Sequence, residues 1–388
     1  MGNDTLKLSD REVLEHARSS LQDHLPLHAA GYQCRTEDLL NLLLGVAVGH
    51  STLQELCADL PGTPDAETIR TYLNEQLTQK ELPKLEEQLN AALADQIPQR
   101  VRRQGRKVAI DFHDRPYYGK SSQEEGLWVR GRASAGTTRF YRIATAYVMH
   151  DGLRVTLALR FVVPEQTKLE VLQELLQRLK TLKIPLKRLF LDKGFATIAI
   201  MEYLTDQGYS AVIACPIRGT HGGTRGLCQG RCSYRTTHTF KGEKKAQFTA
   251  ELAVCRVFTS AKRTKRLKRR GKWMVFILIH LELAPRQVRR VYRRRFGIES
   301  SYRCATEVRG WTTSPNPAYR FLLLALGFFV ATVWVNLRWL YTQVPRRGGR
   351  KLDVRRFRLS RLAHFIRRAL ERRYGCVHEI IAPAPPRL

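Results

Sequence analysis

The sequence predicts an α/β fold: a mixed sheet with flanking helices, a mainly β insertion and an N-terminal helical domain. Three observations carry this. From Gln99 onward, short β-rich apolar runs alternate with leucine-periodic segments. Residues 1–98 read as helical throughout. A stretch at about 215–284, rich in Gly, Thr and Lys/Arg, breaks the alternation. The chain of 388 residues is 43% hydrophobic, long enough for several domains and too apolar for a disordered tail.

In the N-terminal part, "TEDLLNLLLGVAVG", "STLQELCADL" and "DAETIRTYLNEQL" each open on a capping-type residue. Gly49-His50 and Pro61-Gly62-Thr63-Pro64 separate them. The segment fits either a helix-turn-helix, with "TIRTYL" on its last helix, or a plain bundle. Docking on the basic body or on a second subunit is a further use. A boundary is expected near Gln96–Gln99.

Next, "KVAIDFHD" is a short apolar run that ends in acids. "RFYRIATAYVMH" and "LRVTLALRFVV" are β-rich and joined by Asp151-Gly152, a hairpin signal. "TKLEVLQELLQRLKTL" has leucines at helical spacing, and "LKRLFLDKGF" is a buried strand ending in an acid. A helix over "TIAIMEYLTDQG", closed by Gly208, and a strand over "YSAVIACP" follow. The order β-β-β-α-β-α-β fills residues 99–214. In the insertion, 215–284, the strand candidates are "ELAVCRVFT" and "WMVFILIHL". Residues 285–345 return to helix. "FLLLALGFFVATVWV", Phe321–Val335, carries no charge but falls short of the roughly 20 residues that span a bilayer, and reads as a core helix. A basic tail, 346–388, ends the chain and is expected to face a polyanion.

Charge narrows the function. The net charge is +31. Residues 1–98 hold seven Lys/Arg against sixteen Asp/Glu, so the excess belongs entirely to the remainder. Such an excess implies a polyanionic partner, nucleic acid first and an anionic membrane second. Residues 262–272 contain eight Lys/Arg, among them Lys262, Arg263, Lys265, Arg266, Lys268, Arg269 and Arg270, expected to meet phosphates. The eight cysteines show no framework spacing, which suits reduced thiols in a cytoplasm. Cys228-x3-Cys232, with His221 and His238 nearby, leaves a loose zinc site open against free thiols.

Asp111 and Asp192 each end a strand, where a side chain is held rigidly at a cleft. Like charges placed together need a cation between them. Mg²⁺ or Mn²⁺ accepts such oxygen ligands, and a carboxylate from a later helix, Glu299, would complete the cage. Paired ions held by three carboxylates suit phosphoryl transfer. Tyr292, Arg295, Glu299 and Arg303 are spaced 3, 4 and 4 and share one helix face. Arg295 and Arg303 are placed to orient Glu299 or to clamp a phosphate.

Tyr292-x2-Arg295-x3-Glu299 resembles the signature around the last acid of DDE transposases of bacterial insertion sequences, the insertion-sequence-four-like group. "DKGF" at 192–195 resembles that group's motif around the second Asp, and "AIDFHD" the strand that carries the first. The resemblance covers residues 105–340. It implies an RNase H-like catalytic domain, with a β insertion between the second Asp and the Glu. It implies metal-dependent cleavage at transposon ends and strand transfer, with two divalent ions on Asp111, Asp192 and Glu299. It further implies DNA contacts from Tyr292, Arg295 and Lys193, and a homodimer acting on double-stranded transposon ends and target. The expected location is the cytoplasm, at the nucleoid, without a membrane. Two positions depart from the pattern. Thr306 stands where the family often has Lys, and His113 where it has a small hydroxyl residue, which makes Asp114 a rival first ligand. Trp273 and Trp311 are candidates to stack on a displaced base. The alternatives are a non-catalytic nucleic-acid-binding protein on the same shell, or a basic membrane-associated protein.

Overall fold

A computed structural model describes residues 7–119, 122–149, 155–260, 269–347 and 349–380. The hairpin turn expected at Asp151-Gly152 lies outside them. The chain divides into two compact units. One holds residues 1–98, 116–141 and 301–388, the other 99–115 and 142–300.

In chain order, five helices come first: α1 (Asp10–Gln22), α2 (Thr36–Gly49), α3 (Leu53–Asp59), α4 (Ala66–Gln76) and α5 (Leu82–Asp95). Ser9 with Glu12 and Thr52 with Glu55 form capping boxes that start α1 and α3. Strands β1 (Arg106–Pro116), β2 (Val129–Ser134), β3 (Thr137–Val148) and β4 (Thr156–Val162) follow. Then come α6 (Lys168–Thr181), β5 (Leu186–Leu191), α7 (Ile198–Asp206) and β6 (Ala211–Cys215). The inserted stretch supplies β7 (Tyr234–Lys241), β8 (Gln247–Ser260) and β9 (Arg269–Ile279). Helices α8 (Pro285–Tyr292), α9 (Gly297–Glu307) and α10 (Pro317–Tyr341), the hairpin β10 (Gln343–Arg346) and β11 (Gly349–Leu352), and α11 (Leu359–Tyr374) end the described chain.

The second unit is built on a mixed sheet. Its strands run β3-β1-β5-β6-β9-β8-β7, and β4 pairs with β3 off this path. β3 and β4 are antiparallel, whereas β1, β5 and β6 are parallel to one another. The central strands read as apolar runs because sheet neighbours and helices cover them: Val108, Ala109, Ile110, Leu189, Phe190, Leu191, Val212 and Ile213 are all fully buried. The insertion does not stand apart from this sheet. β9 pairs antiparallel with β6, Ala211 opposite Ile279, and so extends it. β7, at the far edge, alternates half-buried and exposed residues along "YRTTHTFK".

In the first unit, α10 forms a core helix. It is the one helix among the described residues long and apolar enough to cross a membrane, yet 83% of its most apolar window is buried. Its close approach to the end of α9 is set by Gly327, where a Cβ would meet the Ala305 carbonyl oxygen at 2.4 Å.

Part of the basic tail packs within the chain. α11 packs its apolar residues Leu362, Ile366 and Leu370 inward, and three of its arginines meet acids of the N-terminal helices. Arg372 bonds Asp10 at 2.7 Å, Arg373 bonds both Glu37 oxygens at 3.0 and 2.9 Å, and Arg367 bonds Asp59 at 3.0 Å. The acidic excess of residues 1–98 thus balances part of the cationic excess within the chain.

Candidate active site

The site is built by two neighbouring parallel strands and one helix of the second unit. In the β1–β5 register Ile110 lies opposite Leu191. Asp111 and Asp192 are each the next residue, so both carboxylates leave the sheet at one level. Phe112 stacks on Phe195 beneath them, rings 4.9 Å apart and nearly parallel.

The helical side is anchored to the same strand end. Tyr292 is buried, and its hydroxyl donates to the Leu191 carbonyl at 3.1 Å, one residue before Asp192. Its ring packs on Phe276 at 4.8 Å. The Arg293–Phe296 turn then brings Arg295 inward and α9 carries Glu299.

Arg295 is the centre of the arrangement, its side chain 7% exposed. Nη1 donates to Asp111 Oδ2 at 2.7 Å, a charge-assisted hydrogen bond. Nη2 lies 3.7 Å from Asp192 Oδ1 and 3.9 Å from Glu299 Oε1, distances of Coulombic attraction and not of hydrogen bonding. Three acids that lie up to 188 positions apart in sequence thus converge on one guanidinium. Burial pushes the Asp111 pKa up, Arg295 pulls it down and Asp192 pushes it up again, with a net rise. Burial works against the Arg295 charge, but Tyr292, Asp111 and Asp192 outweigh it and its pKa is raised.

The donor set is three carboxylates, hard oxygen ligands of the kind Mg²⁺ and Mn²⁺ take. As arranged, all three lie within 3.9 Å of the Arg295 guanidinium. Among the described residues no cluster of three or more His, Cys, Asp or Glu side chains is close enough to hold an ion, and this includes Cys228, Cys232, His221 and His238. The guanidinium supplies the positive charge the three acids require, and an ion bound by all three would replace it.

The other expected positions fall as follows. Asp114, the rival first ligand, is taken by Arg142 in a two-point pair at 2.7 and 2.8 Å and does not bond Arg295. Lys193 is exposed in the turn that follows Asp192. Arg303 is exposed and belongs to the first unit. Lys262, Arg263, Lys265, Arg266 and Lys268 lie outside the described residues. Arg269 and Arg270 lie on β9, with their side chains outside the description. Trp311 is 46% exposed and lies under the Arg309 guanidinium at 4.3 Å; Trp273 faces Arg256 at 5.8 Å.

Sequence reasoning placed Arg295 beside Glu299 and missed its tighter bond to Asp111. It also missed five arginines, Arg286, Arg289, Arg290, Arg293 and Arg294, that line one cleft on α8 and the following turn. Their spacing of 3, 1, 3 and 1 was the available signal.

A mixed sheet with one acid within β1 and another just past β5, faced by a third on α9, has the architecture of an RNase H-like catalytic fold. The model of the transposase DDE domain family matches residues 102–314, more than half of the chain, and the chain belongs to that family. Enzymes of this family cleave and join DNA, and they generally use divalent metal ions. Among solved structures, one similar chain is the piggyBac transposase in a synaptic complex with hairpin DNA. It is 10% identical, with a TM-score of 0.55 over 95% of this chain and 78% of that one. At that identity the likeness shows a shared fold. No curated protein matches the chain.

Proposed function

We propose that this transposase cuts the ends of its own element with Asp111, Asp192 and Glu299 as metal ligands, then transfers the freed strand into target DNA. The observation that supports this most is the convergence of the three carboxylates on Arg295. Two bound Mg²⁺ or Mn²⁺ ions would activate the water or 3′-hydroxyl and stabilise the leaving oxygen. The chain's own part is to hold the acids in place. β1 and β5 fix Asp111 and Asp192 at one level, and the Tyr292 hydroxyl ties the Glu299 side of the site to the end of β5. Arg295 holds Asp111 by a hydrogen bond and neutralises the other two acids; with ions bound there, its guanidinium would be available to a phosphate oxygen. Lys193, exposed beside Asp192, is placed for a phosphate contact.

The Tyr292-x2-Arg295-x3-Glu299 spacing supports membership in the insertion-sequence-four-like group. On this reading the substrates are double-stranded transposon ends and target DNA, bound by a homodimer at the nucleoid of the cytoplasm. The neutralisation of Asp10, Glu37 and Asp59 by α11 supports a structural role for the N-terminal helices over groove reading. The test is metal-dependent nicking of duplexes that carry the element's terminal repeats. Asp111→Asn, Asp192→Asn and Glu299→Gln should each abolish nicking and leave duplex binding in place. Undiminished nicking in any of them removes that residue from the set.

A further inference from the structure

We propose that the cleft lined by Arg286, Arg289, Arg290, Arg293 and Arg294 is a phosphate-backbone clamp that holds the DNA strand beside the scissile bond. The inference rests on the DNA-cutting reading above and adds a surface to it.

The five cations follow helical periodicity, so α8 and the turn after it present them on one side of a cleft of about 390 Å³. The opposite side holds Val288, Tyr292 and Arg295, all buried. One short segment therefore aims two sets of residues: one into the acid cluster, the other outward. The two sets differ in their counter-charges. Arg295 meets three carboxylates. Among the described residues, no carboxylate pairs with Arg286, Arg289, Arg290 or Arg293. Like charges at i,i+3 and i,i+4 weaken a helix. A stripe of this kind is stable only with an external polyanion or with solvent screening.

Its dimensions suit a nucleic acid strand. Arg286 to Arg294 spans about 12 Å at 1.5 Å per residue, which matches three or four phosphates at about 3.4 Å per nucleotide along one strand. The stripe flanks the acid cluster directly, because Tyr292 within it is tied to the end of β5 and Arg295 next to it bonds Asp111. The phosphates it holds therefore lie next to the cut bond. Guanidinium forks bind phosphate oxygens in pairs, and none of these contacts reads a base, so the clamp grips any sequence alike.

The experiment uses the full-length protein with Arg286→Gln, Arg289→Gln, Arg290→Gln and Arg293→Gln together, and the pairs R286Q/R290Q and R289Q/R293Q as smaller changes. Duplex binding is followed in chelator between about 50 and 200 mM salt. Each lost phosphate contact should make the slope of log affinity on log salt shallower by about 0.9, which gives about 1.8 for each pair and about 3.6 for all four. The loss should be equal on terminal-repeat and random duplexes. It should vanish on duplexes trimmed back to the cut on the side the stripe holds. An unchanged slope in the folded pair variants overturns the proposal. So does a change confined to vesicles of anionic phospholipid, which would assign the cleft to a membrane surface. If wild-type protein fails to nick DNA with metal but the slopes shift as expected, the cutting reading falls and the clamp stands. If nicking occurs and the slopes do not move, the clamp falls alone.

Discussion

Arg295 Nη1 lies 2.7 Å from Asp111 Oδ2, across 184 positions of sequence, and this bond closes the acid cluster before any ion is bound. The guanidinium is almost fully buried, so removing it strands a carboxylate in a low-dielectric site. Breaking one side of a buried pair costs about 3–5 kcal/mol. Arg295→Gln should lower the unfolding free energy of the protein in chelator by about that amount. Mg²⁺ or Mn²⁺ should then stabilise the variant more than it stabilises wild type, because an ion fills the missing positive charge. Equal metal stabilisation in both proteins, by thermal unfolding, would count against a shared position.

Asp111 gives a pH test. Its pKa is raised in the folded protein, chiefly by burial. Between its unfolded value of about 3.9 and its folded one, the folded state then binds more protons than the unfolded state. Its contribution to stability is present below the unfolded value and lost as pH rises through the folded one. In metal-free buffer, the stability of wild type relative to Asp111→Asn should therefore fall with rising pH across the range just above ordinary carboxylate values. Denaturant titrations of both proteins at a series of pH values measure it, and a rising difference would refute the direction.

Gly327 opposes two expectations. Helix propensity alone predicts that Gly327→Ala stabilises α10 by about 1 kcal/mol. The Cβ would lie 2.4 Å from the Ala305 carbonyl oxygen, which is backbone and cannot swing aside. Overpacking of that kind costs about 1–3 kcal/mol. Urea unfolding should show net destabilisation, and a more stable variant would mean the two helices separate easily.

Glu37 is held by Arg373 through both oxygens and also by Arg18. The pair with Arg373 is partly exposed, so its coupling should be about 0.5–1 kcal/mol and should decline with salt. A double-mutant cycle of Glu37→Gln and Arg373→Gln measures it. Strict additivity would show that α11 is held by its apolar face alone.

The strands that carry the acids were legible because buried parallel strands are short apolar runs that lead into Asp; β5 stops just before Asp192 as expected, whereas β1 runs on past Asp111 to Pro116. Their register was not, since the Ile110–Leu191 pairing joins segments 81 positions apart and leaves no periodic trace. Helical spacing placed Arg295 next to Glu299, but periodicity speaks only of a helix's own face. The tighter partner, Asp111, comes from another element. β2, "VRGRAS", and β7, "YRTTHTFK", escaped notice because neither has an apolar alternation. The insertion looked separate by composition, yet β9 offers "MVFILI" to the open edge of β6 and joins the sheet. The tail was read by charge, which says nothing of the leucine stripe that packs α11 inward.

The pairing of α11 with α1 and α2 has a consequence for synthesis. The first helices to emerge bury their apolar sides against nearly the last one made, some 330 to 360 positions later. Until then Val13, Leu21 and the face of α2 toward Leu370 await their cover, so a ribosome that stalls before Leu359 releases a sticky, acid-fronted stump. Premature stop codons in this stretch should yield insoluble or rapidly degraded protein, not a shortened working enzyme.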